Sequence, residues 1–292
     1  EILDLTKRGF AYYEDLFATP YAFTKYDQIF VPEYNAGAME NAGCVTHRDD
    51  YIFRSRPVEA RVERRAVTIL HELSHMWFGD LVTMKWWNDL WLNESFAEYT
   101  STLATAEITR WNQAWTTFQT LEKGWAYNQD QLSSTPPVAA EIHDLHDVEV
   151  NFDGITYAKG AAVLKQLVAH VGQEAFFKAA GLLFERRAYG NACLDDFLGV
   201  LSQVSGRDMH DWARAWLHTA GPSVITDELA VHEGRIASLT LQQEGIDPVT
   251  GQSVLRPHTL VVGLYSFDGD GALVRTHRLP VVLEAEQLDI VE

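Results

Sequence analysis

Cysteine is almost missing from this sequence of 292 residues, with only Cys44 and Cys193 present. Two thiols exclude a disulfide framework and a thiolate-built metal site. They fit a reducing compartment, so a cytoplasmic location is expected. Long apolar runs are absent too, and without about eighteen consecutive apolar residues no helix can span a membrane. Positive charge is scarce: 23 basic side chains face 41 acidic ones, a net charge of −18. That balance argues against nucleic acid or an anionic membrane as partner and favours cationic ligands. No internal repeat or low-complexity segment occurs. The chain opens on Glu1 with a stretch that reads as a helix and not as a targeting segment, so a longer parent is expected. What is present is a 47% hydrophobic, 12% aromatic composition, that of a packed globular protein with one large core or two smaller ones.

The most informative feature is HELSH at 71–75, followed after eighteen intervening residues by Glu94 in WLNESFAEY. Histidines four apart on a helix project from one face, so His71 and His75 can bind one ion. Glu72 lies too far round the helix to share that face, yet it can reach a water in the fourth coordination position. Two histidines, a distal glutamate and an open position make the catalytic zinc pattern, in contrast to cysteine-built structural sites. A chance H-e-x-x-H in a chain with eleven histidines is expected at roughly the few-per-cent level, and requiring Glu94 lowers that severalfold. The residues therefore point to a hydrolase that uses one zinc ion per chain. The alternative makes His71 and His75 core histidines and Glu72 a solvated charge.

The context is helical. Pro57 stands where a helix can start, the apolar spacing from Val58 to Phe78 fits one buried face, and Gly79 is expected to end it. Asn93, or an earlier Asp, can cap a second helix, on which Glu94 and Glu98 share a face. Glu98 is then placed to accept a hydrogen bond from the free N–H of a ligand histidine, an arrangement that fixes tautomer and ring orientation. Upstream, a strand is expected at Tyr26–Val31, a loop or edge segment over NAGAMENAG, and a second strand over Val45–Phe53. Downstream, a long helical stretch to about residue 130 is expected to bury Trp111, Trp115, Phe118, Leu121 and Trp125 on one face. Further helices are expected at 157–171, 174–188, 194–204 and 208–219. His143 and His146 read as part of an exposed acidic loop. After Gly221-Pro222 the pattern alternates, as in a β module of about seventy residues, with a hairpin turn at Asp268–Gly271.

HELSH, the distal Glu94 and GAMEN at 37–41 occur here together, flanked by PYAFTKYDQIFVPEYNAGAMENAG, HMWFGDLVTMKWWNDLWLNESFAEY and NFDGITYAKGAAVL. With these words the chain resembles the aminopeptidase N family of gluzincin metallopeptidases, most of all its actinobacterial-type members, from Pro20 onward. The resemblance implies an α+β fold. A thermolysin-like catalytic domain, mostly helical, would occupy residues 1–220, and a partial β-sandwich 221–292. The catalytic domain would lack its N-terminal part and the β-sandwich would be incomplete. It implies His71, His75 and Glu94 as zinc ligands, Glu72 as general base, and Tyr157 as stabiliser of the oxyanion. Glu40 would bind the substrate's free α-amine. The rest of GAMEN (Gly37, Ala38, Met39, Asn41) would line the extended peptide, with Gly37 and Ala38 pairing like an added strand. Ala36 and Phe152 are weaker candidates for the wall around the first side chain. The activity implied is release of the N-terminal amino acid from peptides with a free N-terminus, by a monomer. An epoxide hydrolase of the same superfamily and a non-catalytic peptide-binding module are the rival readings.

Overall fold

The computed structural model describes residues 1–291. It opens with α1 (Ile2–Leu16), followed by β1 (Asp27–Val31), β2 (Ala38–Met39) and β3 (Cys44–Arg48). These strands form one sheet in the order β1-β3-β2, with β1 parallel and β2 antiparallel to β3. The GAMEN segment is thus an edge strand, with Ala38 opposite His47 and Met39 opposite Thr46. The expected strand over Val45–Phe53 stops at Arg48, and a 3-10 turn takes Asp49–Tyr51.

Next come α2 (Glu59–Ser74), β4 (Val82–Met84), α3 (Leu90–Ile108), α4 (Ala114–Thr120) and α5 (Glu122–Asp130). Val58 precedes α2 in an extended conformation, as a residue flanking the helix should. α2 ends four residues earlier than Gly79 suggested. His75 is already its C-cap, and a tight turn follows in which Asp80 N–H donates to His75 O at 2.9 Å. Gly79 serves that turn, at φ +133°, and does not end the helix itself. α3 is the central helix, with every residue from Leu90 to Thr105 buried. Its polar side chains need partners there. Thr100 donates to Phe96 O at 2.8 Å and Thr102 to Glu98 O at 2.9 Å, bonds to the preceding turn that helix interiors allow. Asp89 occupies the N-cap of α3 without capping it, and Asn93 lies one turn inside.

The expected continuous helix to residue 130 is broken at 109–113 and again at Leu121. The breaks reset the phase of the apolar residues. Phe118 stays buried, whereas Leu121 and Trp125 are exposed. The chain continues through α6 (Leu145–Val150), a π-helical turn at Ile155–Lys159, α7 (Gly160–Val171), α8 (Gln173–Arg187), β5 (Gly190–Ala192), α9 (Leu194–Ser205) and α10 (His210–Leu217). β5 pairs in parallel with β4. One core runs through α1, α2, α3, α7, α8, α9 and α10, rich in aromatics such as Phe17, Trp77, Phe96, Phe176 and Phe184. α1 packs close on α2, where Gly9 faces Leu70 and Leu73 and a Cβ on Gly9 would come within 2.8 Å of both.

From Ser223 the chain is all strand: β6 (Ser223–His232), β7 (Arg235–Gly245), β8 (His258–Phe267), β9 (Leu273–Leu283) and β10 (Gln287–Val291). They make two antiparallel sheets, β10-β7-β6 and the hairpin β8-β9 with its turn at Asp268–Ala272. The architecture is α+β, mostly helical with small sheets and part of a β-sandwich. Arg256 joins the two regions. Its buried guanidinium donates to Ala220 O at 2.9 Å, Ala215 O at 3.2 Å, Thr219 Oγ1 at 2.8 Å and Ser223 Oγ at 3.0 Å. Among the described residues no helix is long and apolar enough to cross a membrane.

Candidate metal centre

The last turn of α2 and the first turns of α3 face each other, and this brings His71, His75 and Glu94 together in the interior. All three are buried, and their donor atoms lie within 4.8 Å of one another. His71 Nε2 and His75 Nε2 stand 3.4 and 3.5 Å from the same oxygen, Glu94 Oε2. In a tetrahedral site with bonds of about 2.0–2.1 Å, neighbouring donors stand roughly 3.3–3.4 Å apart. His75 Nε2 is buried and has no hydrogen-bond partner, an omission that costs free energy unless something else satisfies the nitrogen. Donor chemistry, spacing and an unsatisfied nitrogen all fit a divalent cation held by these three residues.

The groups behind the donors orient them. Glu98 Oε2 lies 3.3 Å from His71 Nδ1, the position expected of it. His75 Nδ1 faces Asn93 Oδ1 at 2.8 Å and Phe78 O at 3.2 Å. With Nδ1–H donating, Nε2 is the nitrogen left to bind a metal. Burial alone would lower both imidazoles, but Glu94 and Glu98 raise His71 to about 9, and Glu40 and Glu94 raise His75 well above its ordinary value. Burial would likewise raise Glu94, yet the two histidines hold it down at about 2. This is a pocket built to hold positive charge among carboxylates.

Glu72 is buried beside the donors, and burial pushes it up to about 7 against the opposing pull of His71 and His75. Glu72, Glu40 and His75 form a second group whose donor atoms lie within 4.8 Å of one another, so the edge strand delivers Glu40 to the centre. The Tyr157 ring stacks 6.0 Å from the His71 ring. Burial, then Glu94, Glu40 and Glu72, raise its phenol above the ordinary range and keep it a proton donor. Its π-helical turn is held by Asp153, whose Oδ1 accepts from Ile155 N and Thr156 N at 2.9 Å, and by Ser95 Oγ, which donates to Thr156 O at 2.6 Å. π turns inside helices recur at functional sites.

GAMEN divides. Gly37, Ala38 and Met39 form or flank the edge strand and Glu40 turns inward, whereas Asn41 is exposed and donates to Thr46 Oγ1 at 3.3 Å, away from the donors. Ala36 is exposed, and Phe152 is exposed with its ring 6.5 Å from that of Tyr157. Four neighbours carry no functional signal in the sequence. Asn93 reads there only as a helix cap. Trp125 stacks 6.5 Å from Tyr157 and is itself exposed. Asp80 Oδ2 and Tyr26 OH are buried without partners, and burial pushes Asp80 up to about 7. The shared HMWFGD word held Asp80, but nothing in its spacing marks a carboxylate in a turn as buried.

Helical packing around a His, His, Glu donor set with an acid beside it fits a hydrolytic metal centre. Sequence comparison agrees: the family model described as "Peptidase family M1 domain" matches residues 1–216. Aminopeptidase N of Streptomyces lividans is 54% identical over 291 residues, covering 98% of this chain and 34% of that protein. Tricorn protease-interacting factor F2 of Thermoplasma volcanium is 36% identical over 252 residues, covering 86% of this chain and 32% of that protein. Aminopeptidase M1-C of Oryza sativa subsp. japonica is 36% identical over 282 residues, covering 94% of this chain and 31% of that protein. The chain belongs to peptidase family M1. It spans about a third of the length of these curated relatives.

Proposed function

We propose that this chain carries the catalytic centre of a zinc-dependent aminopeptidase, which releases the N-terminal amino acid from peptides. The observation that carries the reading is the convergence, in one pocket, of three buried metal donors, the acid Glu72 and the edge-strand acid Glu40. Residues 1–220 would form the catalytic domain and 221–292 a β-sandwich module. A cytoplasmic setting is inferred from the unpaired Cys44 and Cys193, and a monomer is proposed with it.

His71, His75 and Glu94 would hold the zinc ion, which when bound polarises the scissile carbonyl and makes water acidic enough to attack near neutral pH. Glu72 accepts the proton of the attacking water and passes it to the leaving amine; a carboxylate raised to about 7 is matched to that exchange. Tyr157 keeps its proton and donates it as a hydrogen bond to the charge developing on the carbonyl oxygen. Glu40 pairs with the α-ammonium, so only the first peptide bond reaches the centre. The open side of the GAMEN edge strand offers main-chain groups to an extended substrate.

The test is Glu72→Gln. Zinc content should remain one per chain while turnover of aminoacyl-arylamides falls by about 10²–10⁴. Retained turnover removes Glu72 as the base, and hydrolysis of N-acetylated peptides as fast as free ones removes the aminopeptidase reading.

A further inference from the structure

Asn93 is 4% exposed, and its amide stands between two parts of the site that come from distant stretches of chain. Its Oδ1 lies 2.8 Å from His75 Nδ1, and its Nδ2 donates to Glu40 Oε1 at 3.5 Å. We propose that Asn93 is a positioning residue that ties the metal-binding imidazole of His75 to the amine-binding carboxylate of Glu40, setting the span between hydrolytic centre and substrate N-terminus. The proposal rests on the aminopeptidase reading above.

A primary amide suits this place because it accepts on one side and donates on the other. An aspartate would still accept from His75 but would set a second carboxylate against Glu40. Asn93 caps nothing, since its side chain makes no bond to the backbone of α3. Nor is it the sole support of His75, whose Nδ1 also has Phe78 O at 3.2 Å. The contact that Asn93 alone supplies is the one to Glu40. Gly79 makes room for it: a Cβ there would come 2.7 Å from Asn93 Oδ1 and 3.2 Å from His75 Nδ1, at a φ of +133° that L side chains rarely adopt.

Three measurements on the zinc-loaded protein test this, with Asn93→Asp and Asn93→Ala. Zinc affinity, by chelator competition, should fall no more than about tenfold, the mild end for loss of a group behind a ligand histidine. Binding of leucinamide relative to its N-acetyl derivative, by calorimetry, should lose about tenfold of its preference for the free amine, and KM for aminoacyl-arylamides should rise more than kcat falls. In a cycle with Glu40→Ala, the effect of Asn93→Ala on the amine preference should vanish, because both act through one contact. An unchanged amine preference in both variants, additivity in the cycle, or loss of zinc as the main effect overturns the proposal. Wild-type protein that binds zinc yet shows no preference for the free amine sinks the aminopeptidase reading instead. Should Asn93→Asp not fold, the alanine cycle decides alone.

Discussion

In the mechanism proposed above, Glu72 is the residue on which pH dependence turns. It acts as a base only when ionised, and burial sets its pKa at about 7. As pH falls through that value the proton stays on and kcat/KM should drop about tenfold per pH unit. A bound divalent cation favours the carboxylate, so the acid limb of the profile should be centred at or below about 7. A kcat/KM with no acid limb at any pH at which the protein stays folded and zinc-loaded contradicts this role. If Tyr157 has the proposed role, Tyr157→Phe removes the donor to the oxyanion, so kcat should fall by about 10²–10³ with little change in KM. A rise in KM alone would move Tyr157 from chemistry to binding. At this scale the pairing of His71 with His75 was legible because i and i+4 on a helix must share a face, whichever fold surrounds them. Asn93 was not, since its value lies in Glu40, 53 residues away.

The π-helical turn before α7 depends on how closely α7 approaches α3. A Cβ on Gly160 would overlap Ser95 Oγ at 1.9 Å, the same hydroxyl that holds Thr156 O. Gly160→Ala should cost about 1–3 kcal/mol of stability by overpacking and also lower kcat by shifting Tyr157, as read by urea denaturation beside kinetics. Wild-type stability would mean that the helices separate freely here. Two residues after Tyr157, Lys159 donates to Asp130 Oδ1 at 2.7 Å, and that oxygen also accepts from Gly221 N at 3.0 Å and Thr135 Oγ1 at 3.2 Å. Burial lowers Lys159, and Asp130 opposes that loss. Removing one partner of a buried pair strands the other, so Asp130→Ala should destabilise by about 3–5 kcal/mol. A change under about 1 kcal/mol would mean that water reaches Lys159. Element types were legible from periodicity. Their ends were less so: α2 stops at Ser74 because the turn through Gly79 brings His75 under Asn93, a demand that no local propensity expresses.

At the scale of the whole molecule, two buried histidines, His47 and His258, should each take stability away in mild acid, against the buried carboxylates Glu72 and Asp80, whose raised values work the other way. Burial lowers His47 to about 4, and burial with Arg256 nearby lowers His258 to about 4. Both ring nitrogens of His47 and Nε2 of His258 lack partners. Above the ordinary histidine value of 6.5 both rings are neutral in either state and there is no penalty. Between 6.5 and about 4 the unfolded chain takes up protons that the folded one refuses, so stability is lost by up to about 1.4 kcal/mol per pH unit for each ring. His47→Phe, stacked on Phe30 as His47 is, should flatten the curve of denaturation midpoint against pH in that window. A variant curve parallel to wild type assigns the acid sensitivity elsewhere.

Read alone, the sequence determined the helical core, the alternating strands after Gly221-Pro222 and the shared face of His71 and His75. Each follows from a helix period of 3.6 or a strand period of two, which hold locally in any fold. Tertiary structure alone decided that Glu40 reaches His75 from an edge strand, that the aromatic face expected through Trp125 breaks at Leu121, and that one amide bridges two distant stretches. Those facts depend on how separate elements pack, and packing is settled by volume and polar satisfaction in three dimensions, to which a one-dimensional pattern is blind.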